Sequence, residues 1–533
     1  MKLSLKALPE IRARVGISLP EFDIEVVRRN TEKSPEWLHF GAGNIFRGFI
    51  SSIAQKLLHR GDMSTGIIAA DTFDYEIIDD IFKAHDNLTL NVSLGADGNV
   101  AKEVLASVCE ALKADSSDKL QMSRFSAIAS SPSLRMISFT ITEKGYAVRT
   151  TSGELSDIVK SDISSGTESP KHAMSFVTAL LVKRYKAGAL PVALVSMDNC
   201  SQNGKKLKDA VMTIAAGWKE NGFVDDGFIS YISDETKVSF PWSMIDKITP
   251  RPSDKVRAIL EEDGFEEMSP IITSKKTYIA PFVNAEEPEY LVIEDSFPNG
   301  RPPLENAGVY MTDRETVNKT ERMKVTTCLN PLHTALAVYG CMLGYTLICD
   351  EMKDEDLCKL VYRLGYIEGL PVVTHPGIIS PRDFIDEVVY KRLPNPFMPD
   401  APQRIATDTS QKVGIRFGET IKSYAAMGDL SNLIAIPLAI AGWLRYLLGV
   451  DDEGNKIEIS SDPLLPELRK QLESIEFGKP YSYTGQLGPI LSNSEIFGSD
   501  LVRLGLAPLI ETMFTKELNG KGAVRATLRE YLK

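Results

Sequence analysis

The rhythm of apolar and polar positions changes along this chain. "WLHF" (37–40) is a short apolar run, a pair of glycines follows, and "IFRGFISSIAQKLL" then repeats apolar residues at helical spacing. "TGIIAADTFDYEIIDDIF" (65–82) predicts a second strand ending at Asp71. "LRMISFTITEKGY" (134–146) and "ALPVALVSMDNCSQNG" (189–204) are β-rich runs that stop at polar or glycine residues. Between them "SPKHAMSFVTALLVKRYKAG" (169–188) predicts a helix, with Ser169–Pro170 as N-cap and first turn. Alternation of strand, turn and helix predicts a parallel sheet covered on both faces. Beyond about residue 315 the texture turns to long helical patterns such as "HTALAVYGCMLGY" and "LIAIPLAIAGWLRYLLG". The pattern predicts an α/β domain over residues 1–315 and a mainly helical one over 316–533.

Composition narrows the function more than the fold. A chain of 533 residues is too long for one core. Net charge is −12 with no basic block, which argues against a nucleic-acid partner, whose binding rests on neutralising phosphates. The longest apolar runs are too short to span a bilayer, and the start "MKLSLKALPEIRARVG" lacks the apolar stretch of a secretory signal. Six dispersed cysteines without a C-x-x-C pair read as free thiols in a reducing cytoplasm. The six histidines show no metal-ligand spacing, so no metal site is expected.

Two stretches carry candidate chemistry. In "FGAGNIFRG" (40–48), Gly41 permits a sharp turn after a strand and Gly43 lets a pyrophosphate approach the backbone at a helix N-terminus. The third glycine of G-x-G-x-x-G is displaced: Phe46 holds its place and Gly48 comes two residues later. Asp71, at the end of the next strand, is suited to accept hydrogen bonds from ribose hydroxyls and to repel a 2′-phosphate, which favours NAD over NADP. Asp74 is an alternative for that role and equally a helix cap.

The second stretch is "ERMKVTTCLNPLHTAL" (321–336). At about 100° per residue, nine residues would set Lys324 and His333 on opposite sides of one unbroken helix. Asn330–Pro331 is a helix-start signal, and a break there lets the two converge. A desolvated lysine can act as a base, and an amide and an imidazole N–H can hold an oxygen as charge builds on it. Plainer roles stay open at this point: Asn330 a cap, His333 a core histidine, Lys324 a surface charge.

Together these segments resemble a known family. Lys-x5-Asn-x2-His is similar to the signature of the polyol-specific long-chain dehydrogenases, also called the mannitol dehydrogenase family. "FGAGNIFRGF", "SFTITEKGY", "SMDNCSQNG", "FPWSMIDKITP", "VIEDSFPNGRP" and "RIATDTSQK" match in the same order, from about residue 37 to 460. The resemblance implies a Rossmann-type dinucleotide-binding domain followed by a mainly α-helical C-terminal domain, with NAD as cofactor and no metal. It implies Lys324 as general acid/base, Asn330 and Asn199 as donors to the reacting oxygen, and His333 as the residue orienting the substrate. Glu321 would pass protons to solvent, and Arg404 and Lys412 would line the substrate pocket. Asn44 and Ile45 in the turn, and Thr142 and Glu143 in "TITEKGY", would join Gly41, Gly43 and Asp71 at the cofactor. Pro331 and Leu332 depart from the small pair the family usually carries. The implied substrate is a small sugar acid or polyol. The basic pair and the "TITEKGY" and "VIEDSFPNGRP" segments are similar to the branch that reduces D-fructuronate to D-mannonate. Mannitol oxidation to fructose and tagaturonate reduction remain alternatives, and a nucleotide sensor without catalysis is a reading of another class. No interface signal fixes an oligomeric state.

Overall fold

The computed structural model describes residues 1–14 and 16–533. The chain forms two compact units, one of residues 1–94 and 98–318, the other of 95–97 and 319–533.

The first unit is built on a six-stranded sheet. Its strands are β1 (Trp37–Phe40), β2 (Ile67–Asp71), β3 (Val108–Lys113), β4 (Met136–Phe139), β5 (Val192–Ser196) and β6 (Val238–Ser239). The spatial order is β3-β2-β1-β4-β5-β6 and each neighbouring pair is parallel. The order reverses beside β1, and in such sheets ligands bind beyond the strand ends at the reversal. The central strands are apolar at successive positions because both faces are covered. Leu38, Phe40, Ile68, Ala70, Ile137 and Phe139 enter one core. Trp37, Ile67, Ala69, Met136 and Val195 enter the other. A smaller mixed sheet, Ile17–Ser18, Val100–Leu105, Thr89–Leu94 and Phe282–Glu286, interrupts the crossover from β2 to β3 with two of its strands.

The second unit is helical, with no strand among the described residues after Tyr310–Thr312. Its centre is Asn330–Leu343 beside Ala435–Tyr446, whose first N–H groups are capped from a distance. The fully buried Glu368 carboxylate accepts from Ile434 N (2.8 Å), Ala435 N (2.6 Å) and Ile436 N (2.9 Å). Several helices carry a widened π turn, among them Phe46–Ile50, Lys324–Cys328 and Gly414–Gly418.

Two local expectations need correcting. The helix expected to open at Ser169–Pro170 runs Ala173–Lys186 and is capped by His172. Asp162 accepts from the backbone N–H of Lys171 and His172, which holds residues 171–172 out of the helix. In "LRMISFTITEKGY" the strand ends at Phe139, and Thr142–Tyr146 is a helical turn.

Candidate active site

At the reversal of strand order, β1 runs into the glycine turn. Gly41 has φ +101°, and a Cβ there would lie 2.2 Å from Thr140 O on β4's exit, so only glycine fits. Gly43 is different: a Cβ on it would meet nothing within 4 Å, which leaves the backbone open to a ligand. Gly48 cannot replace the missing third glycine at the turn. It packs instead, where a Cβ would lie 2.8 Å from Val283 Cγ1. Asn44 and Ile45 are half-buried, and Asn44 Nδ2 donates to Pro250 O at 3.3 Å.

Asp71 ties this turn to the end of β2. Its Oδ2 accepts from Ala42 N at 3.0 Å, and its Oδ1 from Phe73 N and Asp74 N, both at 2.8 Å. Burial pushes its carboxyl above the ordinary value, against the pull of those three N–H groups. A carboxylate offers about four acceptor sites, so Asp71 keeps capacity for one more donor. Asp74 is committed elsewhere, accepting from the hydroxyls of Thr273 (2.7 Å) and Thr277.

The ends of β4 and β5 are joined by a residue that the sequence did not single out. Asp198 accepts from Ile141 N and Thr142 N at 2.9 Å each, and from Tyr146 Oη at 2.5 Å. It thereby fixes Thr142 at φ +64°, a conformation rare for a β-branched residue and common at functional sites. Thr142 and Glu143 are exposed, Glu143 pairing with Lys206, and Asn199 is exposed directly after Asp198. The only sequence signal for Asp198 was its place between a strand and Asn199.

The helix Arg314–Met323, which begins in the first unit and ends in the second, continues into the π turn Lys324–Cys328, where Leu329 N donates to Lys324 O at 3.1 Å. Leu329, at φ −130° and ψ −64°, breaks the run, and the next helix starts at Asn330. The break therefore lies one residue earlier than expected, and the Asn330 side chain does not cap the helix. Its half-buried carboxamide makes no hydrogen bond among the described residues. Lys324 is 3% exposed. Glu321 is half-buried and forms no ion pair among the described residues.

His333 Nε2 is buried without a hydrogen-bond partner, 3.6 Å from Asp400 Oδ2. Burial brings the imidazole down to about 4, and the guanidiniums of Arg416, Arg404 and Arg392 reinforce the shift against Asp400. The ring is neutral at pH 7 and carries one N–H that it can donate. Arg404 is 65% exposed and pairs with Asp400. Lys412 donates to Thr407 O, and burial lowers its ammonium, as does Arg416. Arg416, which the sequence gave no reason to choose, donates to Thr334 Oγ1. Among the described residues, no cluster of three or more His, Cys, Asp or Glu is placed to hold a metal. No helix of the described residues is long and apolar enough to cross a membrane.

Comparison with known proteins now bears on these halves. Residues 35–306 match the mannitol dehydrogenase Rossmann domain and residues 316–510 match the mannitol dehydrogenase C-terminal domain. The chain belongs to the mannitol dehydrogenase family. Within that family, a D-mannonate oxidoreductase of Thermotoga maritima is 52% identical over 99% of both chains. Among solved structures, a D-sorbitol dehydrogenase in substrate-free form matches with TM-score 0.77 at 25% identity, over 97% of this chain and 100% of that one. The mannitol 2-dehydrogenase of Pseudomonas fluorescens, solved with NAD and D-mannitol, matches with TM-score 0.71 at 25% identity, over 100% and 99%. The expected Rossmann-type sheet and helical C-terminal part are those of this mannitol dehydrogenase family.

Proposed function

We propose that this protein is an NAD-dependent oxidoreductase that interconverts D-fructuronate and D-mannonate. The observation that carries this reading is the 52% identity, end to end, with a D-mannonate oxidoreductase. The residue chemistry supports it.

Residues 1–315 are assigned to the dinucleotide and 316–533 to the substrate and the proton transfer. The open backbone at Gly43 and the turn fixed by Gly41 suit a pyrophosphate, with Asn44, Ile45, Thr142 and Glu143 around it. Asp71 keeps one acceptor position for a ribose hydroxyl, and its negative charge disfavours a 2′-phosphate there. When bound, the nicotinamide supplies or takes the hydride. In the reducing direction Lys324 gives a proton to the carbonyl oxygen, and in oxidation it takes that proton from the hydroxyl. Asn330, left uncapped and unbonded, offers its amide to the same oxygen, as does Asn199. Neutral His333 orients the substrate through its unpartnered nitrogen. Glu321, half-buried one turn before Lys324, relays protons to solvent. Arg404 and Lys412 place positive charge near the substrate. The six cysteines are free, which suits a reducing cytoplasm.

Turnover of a panel of uronates and polyols, each with NADH and NADPH or their oxidised forms, tests the assignment. D-fructuronate with NADH is expected to be the best pair. Turnover of mannitol alone would overturn the substrate, and a preference for NADPH would overturn the cofactor.

A further inference from the structure

Three guanidiniums, Arg392, Arg404 and Arg416, act on His333, and Lys412 lies near two of them; their surroundings separate the four. Arg404 is mostly exposed and engaged with Asp400. Lys412 is engaged with the carbonyl of Thr407. Arg392 is buried away from solvent. Arg416 alone of these combines a partly buried guanidinium with a hydroxyl as its hydrogen-bond partner, and no carboxylate pairs with it among the described residues. Withdrawal from water brings its guanidinium down to about 10. A cation so placed is costly until an anion joins it.

The fold holds Arg416 firmly. It lies in the π turn Gly414–Gly418, whose glycines press against the helix Ser494–Phe497. A Cβ on Gly418 would lie 2.1 Å from Phe497 O, and one on Gly414 would lie 2.8 Å from Ile496 O. The following helix Glu419–Met427 touches the π turn after Lys324, with Thr420 Oγ1 donating to Thr326 O at 3.4 Å. Arg416 thus reaches the first turn of Asn330–Leu343 from a fixed base.

We propose that Arg416 selects for a carboxylate-bearing substrate, binding the terminal carboxylate of the sugar acid while Asn330 and His333 attend to its reacting end. The inference rests on the function proposed above and adds the residue that separates sugar acids from neutral polyols. Helical spacing makes the fit concrete. Asn330, His333 and Thr334 share one face, and Thr334 stands about 6 Å along the axis from Asn330. That is the scale of a chain with three carbons between the reacting carbon and the carboxylate, as in D-fructuronate. A guanidinium also meets a carboxylate with two parallel N–H groups, which an ammonium cannot do.

The test compares R416Q and R416K with the unaltered enzyme, measuring kcat/KM for D-fructuronate and for D-fructose, with NADH. Losing a hydrogen-bonded charge pair predicts a fall of about 10–100-fold on fructuronate for R416Q, mainly in KM, with a smaller fall for R416K. The rate on fructose should hold, as should the melting temperature. D-mannonate should raise the melting temperature of the unaltered protein and not that of R416Q. Equal losses on both ketoses, or an unchanged rate on fructuronate, would overturn the role of Arg416 and leave the proposed function standing. An unaltered enzyme inactive on fructuronate would instead overturn the function, and this inference with it.

Discussion

Between residues 40 and 45 the first unit presents backbone; between 321 and 334 the second presents side chains. The glycine turn needs only two residues without Cβ atoms, one held by Thr140 and one left open, with Asp71 buttressing the N–H groups from the next strand. The proposed acid–base segment carries an amine on one side of a helix break and an amide and an imidazole on the other, and Arg416 reaches its second helix from more than 80 residues further along the chain. A backbone site is local and depends on conformation. A side-chain site is assembled and depends on what its neighbours leave unpaired.

That contrast can be broken most severely at Lys324. K324A should lower kcat by about 10²–10⁴, the range that general acid–base groups supply. Dinucleotide binding, read by quenching of protein fluorescence, should be unchanged, and a lost affinity would show that the amine supports structure. The two glycines come next. G41A places a methyl group against a carbonyl at a positive φ and should destabilise the protein by roughly 3 kcal/mol or more in urea unfolding. G43A meets no protein atom, so its unfolding curve should match the parent while the KM for NADH rises about tenfold, equivalent to about 1.4 kcal/mol. Equal stability losses for both would remove the distinction between a structural and a ligand-facing glycine.

Per pH unit the smallest effects come from pH itself, where two kinds of buried group, imidazole and carboxyl, differ in sign. Of the first kind, His39 is fully buried between Ser138 Oγ and Thr140 Oγ1, and burial brings its imidazole down to about 3. The unfolded chain takes up this proton near pH 6.5 and the folded one does not, so stability falls as pH drops through 6.5 toward 3. In the second kind, burial raises Glu351 to about 9 and Glu517 to about 8. Unfolded, these acids ionise near pH 4.5, so their effect is to weaken the fold as pH rises from there to 8 or 9. Each group contributes a slope of about 1.4 kcal/mol per pH unit within its window. H39Q should flatten the acid side of a stability–pH curve and E351Q the alkaline side; an unchanged slope in either variant would mean the group titrates normally when folded.

The same contrast governs what could be read in advance. Strands β1, β2, β4 and β5 were legible because each is a short apolar run buried on both faces. The glycine turn was legible because its glycines, its strand and its helix are contiguous. Lys324, Asn330 and His333 are proposed as a set on the family resemblance, and the π turn and the break at Leu329 between them are announced by no local propensity. The helix after Ser169–Pro170 was misread because Asp162, from a different helix, decides where it begins. Asp198 and Arg416 were missed for a related reason. Each draws its meaning from partners far along the chain, Asp198 from Thr142 and Tyr146, Arg416 from Thr334.

The widened turn at Lys324–Cys328 makes this stretch intolerant of a change in length. Deleting any one residue from 325 to 328 would let an ordinary helical turn close, and the backbone ladder would survive. The side chain of Lys324 would turn by about 100° about the helix axis relative to Asn330 and His333. In the descendants of this sequence, the number of residues in that turn is held as closely as the buried Thr326, Thr327 and Cys328 within it.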